Sequence, residues 1–338
     1  MLYLRKNDLM ERNENVLSKT YKGYYLRNLI RNKINRNANW VTELLGKSNV
    51  FNRKQYCKRK FLSMIEANTR ISYYIDSGKP FLVARFGNTE SNMIRAHFER
   101  TIWRDETKYS AAVALLCETA GFFPNDSRLA EQFVEEMLKI SPQIDLLGVW
   151  NNHMEDFICE NYVYNADYTR LRYLEPYYYE EAPWSASLEG KKVLVIHPFE
   201  QSIRLQYGKR REIWKDRKIL PDFELKTLKA VQTMADQTDD RFATWFDALE
   251  YMTEECKKIE FDIALIGCGA YGLPLAAEIK KMGKGAIHLG GALQILFGIK
   301  GNRWDSHPII SKFYNDAWIR PIDEKPAGCD KVEESCYW

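Results

Sequence analysis

With 338 residues, 45% of them apolar and 28% charged, the chain has the composition of a globular protein with one large core or two small ones. Its seven cysteines are odd in number and irregularly spaced, with no CxxC pair, which excludes a disulfide framework and a zinc site and predicts reduced thiols. No apolar run approaches the ~20 residues of a membrane span, and the first residues are polar and basic without the apolar core of a secretory signal; together these predict a cytoplasmic protein.

The net charge of +3 is unevenly spread. Residues 1–60 hold fifteen Lys/Arg against four Asp/Glu, so the remainder is acidic. The apolar positions Leu17, Tyr21, Tyr24, Tyr25, Leu29, Ile30 and Ile34 recur at helical spacing. Residues 1–60 therefore read as a basic, helical N-terminal segment. It either lies peripherally on an anionic inner membrane face or packs on the body; no specific nucleic-acid partner is expected. Residues 61–338 read as one α/β domain. Strands are predicted at Phe81–Phe86, Asp145–Trp150, Arg172–Leu174, Val193–His197, Phe223–Lys226, Asp262–Gly267 and Ala286–Leu289, with helices between most of them. This alternation predicts a mainly parallel, Rossmann-like sheet with helices on both faces, whose ligands sit beyond the carboxyl ends of the strands.

Four loops after strands carry the chemistry. In Arg85–Glu90 (RFGNTE), Gly87 permits a tight turn, Asn88 and Thr89 suit a helix start, and Arg85 suits a phosphate. Asn88 and Glu90, two apart in a turn, suit one hard cation such as Mg²⁺ or Mn²⁺. After Val193–His197 comes a donor-rich helix start with His197, Gln201 and Arg204, as an anion site would need. Gly267-Cys268-Gly269-Ala270-Tyr271-Gly272 is a GxGxxG between a strand and a helix. The next strand ends in His288-Leu289-Gly290-Gly291, so the ribose-binding acid of a dinucleotide site is absent, and the motif favours phosphate over NAD. After Asp145–Trp150, Trp150 and Asn151 offer a sugar-binding surface, and Glu155 or Asp156 a general base. The run Tyr177–Trp184 is a second sugar platform or an aromatic hinge. The tail ending Cys336-Tyr337-Trp338 is expected to dock on the body without chemistry.

In motif order and context, the strand–RFGNTE–helix segment, VLVIHPFE at 193–200 and DIALIGCGAYGLPLAAEIKKMGKGAIHLGG at 262–291 resemble the GT-D glycosyltransferases over roughly residues 75–300. In that family a strand runs into R-F-G-D-G-E, whose Asp-x-Glu pair serves a metal and the diphosphate of a nucleotide sugar. Arg85, Phe86, Gly87 and Glu90 match, while Asn88 stands where the family has Asp and Thr89 where it has Gly. One carboxylate binds a divalent ion less tightly than two. The resemblance implies a glycosyltransferase of the hexosyltransferase type. It would move sugar from a nucleotide-diphosphate sugar, a UDP-sugar first among them, to a hydroxyl of a growing surface glycan. Donor contacts would come from Arg85, Gly87, Asn88, Thr89, His197, Gln201, Arg204, Gly267, Gly269, Tyr271 and Gly272, with a divalent cation on Glu90 and Asn88. Two rivals stand beside it: an NAD(P)-dependent oxidoreductase, and a non-catalytic nucleotide- or glycan-binding partner in a polysaccharide assembly complex.

Overall fold

The computed structural model describes residues 16–30, 55–234, 238–322 and 337–338. Nine strands form one sheet: β1 (Gln55–Tyr56), β2 (Arg59–Leu62), β3 (Phe81–Ala84), β4 (Leu146–Val149), β5 (Asp167–Arg170), β6 (Lys192–His197), β7 (Glu224–Lys229), β8 (Ile263–Ile266) and β9 (Gly285–His288). Their spatial order is β1-β2-β5-β4-β3-β9-β8-β6-β7. All pairings are parallel except β1 with β2, so an eight-stranded parallel sheet carries a short antiparallel edge. That edge begins at Gln55, so the sheet draws in residues 55–60 of the basic segment.

The expected α/β class is observed, and the side chains show why. β3, β4, β8 and β9 are buried throughout, as strands covered on both faces must be. Their alternation then divides the core. Leu82, Leu147, Leu194, Ala264 and Ala286 join one apolar cluster, while Phe81, Leu146, Val193, Ile263 and Ile287 join the other. The first cluster is covered by α3 (Asn88–Trp103), α4 (Glu106–Ala120), α5 (Ser127–Ile140), α6 (Glu155–Tyr162), α9 (Trp245–Lys257) and α10 (Gly272–Lys281). The second is covered by α2 (Met64–Ser77), α7 (Glu200–Gly208), α8 (Arg210–Ile213) and α11 (Ala292–Leu296). A last short helix, α12, spans Asn302–Asp305.

One expected strand is corrected. Arg172–Leu174 belongs to a 3-10 turn, Leu171–Leu174, and the strand is the preceding Asp167–Arg170. Leu174 packs where a side chain on Gly148 would otherwise stand. The run Tyr177–Trp184 is also structural in part: Tyr177 and Trp184 are buried, and Tyr177 stacks on Trp214 with ring centroids 5.8 Å apart.

Residues 16–30 form the expected N-terminal helix, α1. Its apolar stripe is used on the body: Tyr21 is fully buried, with its ring 4.9 Å from Phe157 and 5.4 Å from Phe98. Leu29 and Ile30 face outward, and Ile34 lies outside the described residues. Among the described residues, no helix is long and apolar enough to cross a membrane. Tyr21→Ala is expected to cost about 3 kcal/mol, the scale of a deleted buried aromatic. Urea denaturation reads that cost, and limited proteolysis should find 16–30 newly accessible. Unchanged stability would mean the helix does not dock this way.

Candidate functional site

The direction of the strand connections changes between β3 and β9. From β3 the chain steps outward through β4 to β5, while β9 is reached from the other half through β6 and β8. Parallel sheets open a crevice at such a point. A cavity of about 330 Å³ lies there, walled by loops that follow β3, β4, β6, β8 and β9. It brings together nine of the residues singled out in the sequence: Arg85, Gly87, Asn88, Thr89, Glu90, Trp150, His197, Gly267 and Gly269.

The helices that begin at this edge lack side-chain caps. α3 has Gly87 at its N-cap, α7 has Phe199, and the 3-10 turn Gly269–Tyr271 that leads into α10 has Cys268; none makes a side-chain cap hydrogen bond. By contrast α2, α4, α5 and α9, whose first residues do not line the cavity, are capped by Ser63, Asp105, Asp126 and Thr244. Uncapped first-turn N–H groups and the positive end of the helix dipole favour an anion.

Arg85 adds a fixed positive charge. Its guanidinium lies over the Trp150 ring, 4.4 Å from the centroid, and donates to the Phe86 carbonyl at 3.2 Å and 3.3 Å. Trp150 Nε1 donates to the same carbonyl at 2.9 Å. Gly290 makes room for this arrangement: a Cβ there would stand 2.6 Å from Arg85 Nη1. Thr89 Oγ1 lies 3.0 Å from Thr119 Oγ1, tying the start of α3 to α4.

Glu90 is only 7% exposed, and its carboxylate folds back over Gly87, where any Cβ would collide with it. Burial raises its pKa, and the nearby Arg85 charge opposes that rise. The expected cation pair does not form. Asn88 and Glu90 both fall inside α3, and helix positions two apart point to different sides. Asn88 is exposed and Glu90 buried. Among the described residues, no group of three His, Cys, Asp or Glu is placed to hold a metal ion. Among those residues Glu90 thus stands without a second carboxylate beside it for a cation, and no chemical step below uses one.

Two histidines wall the other side. His197 Nδ1 accepts the Phe199 N–H at 3.0 Å, which leaves the proton on Nε2. His288, 3% exposed, has an Nδ1 with no hydrogen-bond partner. Burial pushes both down to about 3, helped at His288 by the Arg85 charge, so both are neutral near pH 7. The glycines of GxGxxG serve packing as well as the cavity wall. A Cβ on Gly269 would stand 2.7 Å from the Ala120 carbonyl oxygen, one on Gly267 2.6 Å from that of Gly290, and one on Gly272 would strike the His288 ring.

The other expected site residues lie outside the cavity lining. Tyr271 is buried and stacks on Trp245 at 5.0 Å. Arg204 reaches along the outer edge to Thr227 and Glu200, at 2.7 Å and 2.8 Å, and Gln201 is exposed. Asp156 serves the N-terminal helix, pairing with Arg27 at 2.8 Å and accepting from Asn28 at 2.9 Å. Glu155 is fully buried and accepts the Asn152 N–H at 3.0 Å, bracing the loop that holds Trp150 and Asn151. Burial pushes Glu155 up to about 7. Sequence reasoning gave no role to His288, Gln294, Arg303, Tyr337 or Trp338, all of which line the cavity. For His288 the available signal was its position, at the end of a strand two residues before paired glycines.

No protein-family model matches the chain, and no curated protein does. Among solved structures it is similar to a chain described as the highly conserved domain of unknown function 1792, with a distinct glycosyltransferase fold. The identity is 15% over 69% of this chain and 79% of that one, with a TM-score of 0.40.

Proposed function

We propose that the chain is a glycosyltransferase whose cavity binds a nucleoside-diphosphate sugar, with a UDP-sugar as the first donor to test, and passes the sugar to a hydroxyl of a surface glycan. The observation that carries this reading is the meeting of uncapped helix starts, Arg85 and a buried carboxylate at one sheet edge. Departure of the diphosphate is the demanding event, and it needs preorganised positive charge at the leaving oxygens. The Arg85 guanidinium supplies it. The acceptor oxygen attacks the anomeric carbon, the bond from that carbon to the diphosphate oxygen breaks, and the hydroxyl proton passes to Glu90. A buried carboxylate with a raised pKa suits that base role. Trp150 offers the sugar a ring face. The basic residues 1–60 suit the anionic membrane surface on which such acceptors are carried.

The NAD(P) reading keeps one point in its favour, the GxGxxG at the right place. Against it stand the packing duties of those glycines and the presence of His288 where a ribose-binding acid would be needed. A thermal-shift panel of UDP, GDP, CMP, NAD and NADP, each with and without Mn²⁺, separates the two. A ligand that binds only the folded chain at ~100 times its Kd adds about 2.7 kcal/mol of stability. The expected outcome is a shift with a nucleoside diphosphate, little altered by Mn²⁺, and none with NAD. A shift with NAD or NADP alone overturns the transferase reading, and no shift with any nucleotide favours a non-catalytic partner.

A further inference from the structure

The end pair Tyr337–Trp338 lines the cavity and is held there by several specific contacts. The Tyr337 carbonyl accepts Gln294 Nε2 at 3.1 Å, and Gln294 is itself fully buried on α11. The Trp338 carbonyl accepts the Asn302 N–H at 3.2 Å and Arg320 Nη1 at 3.3 Å. The Tyr337 ring occupies space that only a glycine leaves open, since a Cβ on Gly291 would stand 2.5 Å from it. Arg303 covers the ring from 4.7 Å and reaches its hydroxyl at 3.3 Å. Trp338, 6% exposed, meets Phe199 in the loop after β6 with ring centroids 6.0 Å apart. The two end rings are 6.0 Å apart and inclined at 89°, so they form a corner.

We propose that this corner holds the nucleobase of the donor, with Tyr337 and Trp338 as binding residues that set the preference for a nucleotide over a bare diphosphate. The inference rests on the transferase reading above. A flat heteroaromatic ring gains by stacking on one ring of such a corner and meeting the other edge-on. Position supports the assignment. Gly290 makes room for the Arg85 guanidinium and Gly291, the next residue, makes room for Tyr337, and both side chains line the same cavity. A diphosphate and its nucleoside follow one another in the same order. Arg303 adds a hydrogen-bond donor where a pyrimidine or purine edge would lie.

The test uses the full chain and two kinds of probe, inorganic pyrophosphate and the tighter binder of UDP and GDP, measured by titration calorimetry. Tyr337→Ala and Trp338→Ala are expected to weaken the nucleotide on the order of tenfold, the scale of one lost base–aromatic stack. Pyrophosphate affinity should not change. Tyr337→Phe and Trp338→Phe should keep the nucleotide affinity. Equal losses for both probes would make the pair a structural prop, and no loss for either would remove it from the site; each overturns the inference while the diphosphate site stands. A wild-type chain that binds pyrophosphate but gains nothing from the nucleoside also overturns it. A wild-type chain that binds neither probe overturns the transferase reading with it.

Discussion

Glu90→Gln is expected to lower the rate of sugar transfer by about 10²- to 10⁴-fold, the usual contribution of a positioned general base, while the chain stays folded. The glutamine keeps the shape of the side chain over Gly87 and removes only its ability to take a proton. Stability should hold or rise. Glu90 is 7% exposed and its pKa is raised by burial, so ionising it is a cost the folded state bears at neutral pH. Two measurements on one preparation decide the matter: single-turnover transfer at saturating donor, and thermal denaturation. Full activity in a folded Glu90→Gln chain would remove Glu90 from the mechanism. The pH profile gives an independent reading. Transfer needs the ionised carboxylate, so the acid limb of the rate should lie at a higher pH than an unperturbed glutamate would give. In the variant that limb should disappear along with most of the activity.

What could be read in advance follows burial. β3, β4, β6, β8 and β9 are buried on both faces, and each announces itself as a continuous apolar run. β2 and β5 read RKFL and DYTR. Their apolar content is too low to signal a strand, although Tyr168 and Thr169 are buried in place and Thr169 bonds the Leu62 carbonyl at 3.0 Å. The loops after the apolar strands were therefore legible as a ligand-binding edge. The geometry within them was not. Asn88 and Glu90 both fall within the first turn of α3, so what reads in sequence as a two-ligand turn becomes two helix positions that diverge. The basic amphipathic pattern of the N-terminus was readable, but a pattern does not say what the apolar stripe packs against. Phe98 and Phe157 supply that surface from positions about 75 and 135 residues away. Tyr337 and Trp338 meet Gly291 and Phe199 only through the fold, so nothing local could tell a docked tail from a cavity wall.

Loss of stability in acid is expected to be steep below about pH 4.5 and shallow between there and pH 6.5. The reason is two histidines and two glutamates whose pKa values are shifted in opposite directions. His197 and His288 are pushed by burial from 6.5 to about 3. Between those values the unfolded chain holds protons that the folded chain refuses, so each histidine lowers stability as the pH falls, by about 1.4 kcal/mol per unit. Burial raises Glu155 and Glu175 from 4.5 to about 7. Between those values the folded chain holds protons that the unfolded chain has released, so each glutamate raises stability as the pH falls. From pH 6.5 to 4.5 the two effects oppose each other, with Glu175 discounted because it is only partly buried in the fold. Below pH 4.5 the glutamates are protonated in both states and their gain stops, while the histidines go on losing until pH 3. Over that last interval the two histidines remove about 4 kcal/mol, a large share of the roughly 5–15 kcal/mol that holds an ordinary domain together. Urea denaturation from pH 3 to 8 measures the curve, and comparison with His288→Gln isolates the histidine share from that of surface carboxylates. The variant should lose about half of the histidine-driven slope below pH 4.5. A variant curve parallel to the wild type throughout would mean that His288 takes a proton in the folded chain, and that the cavity wall it forms is open to water.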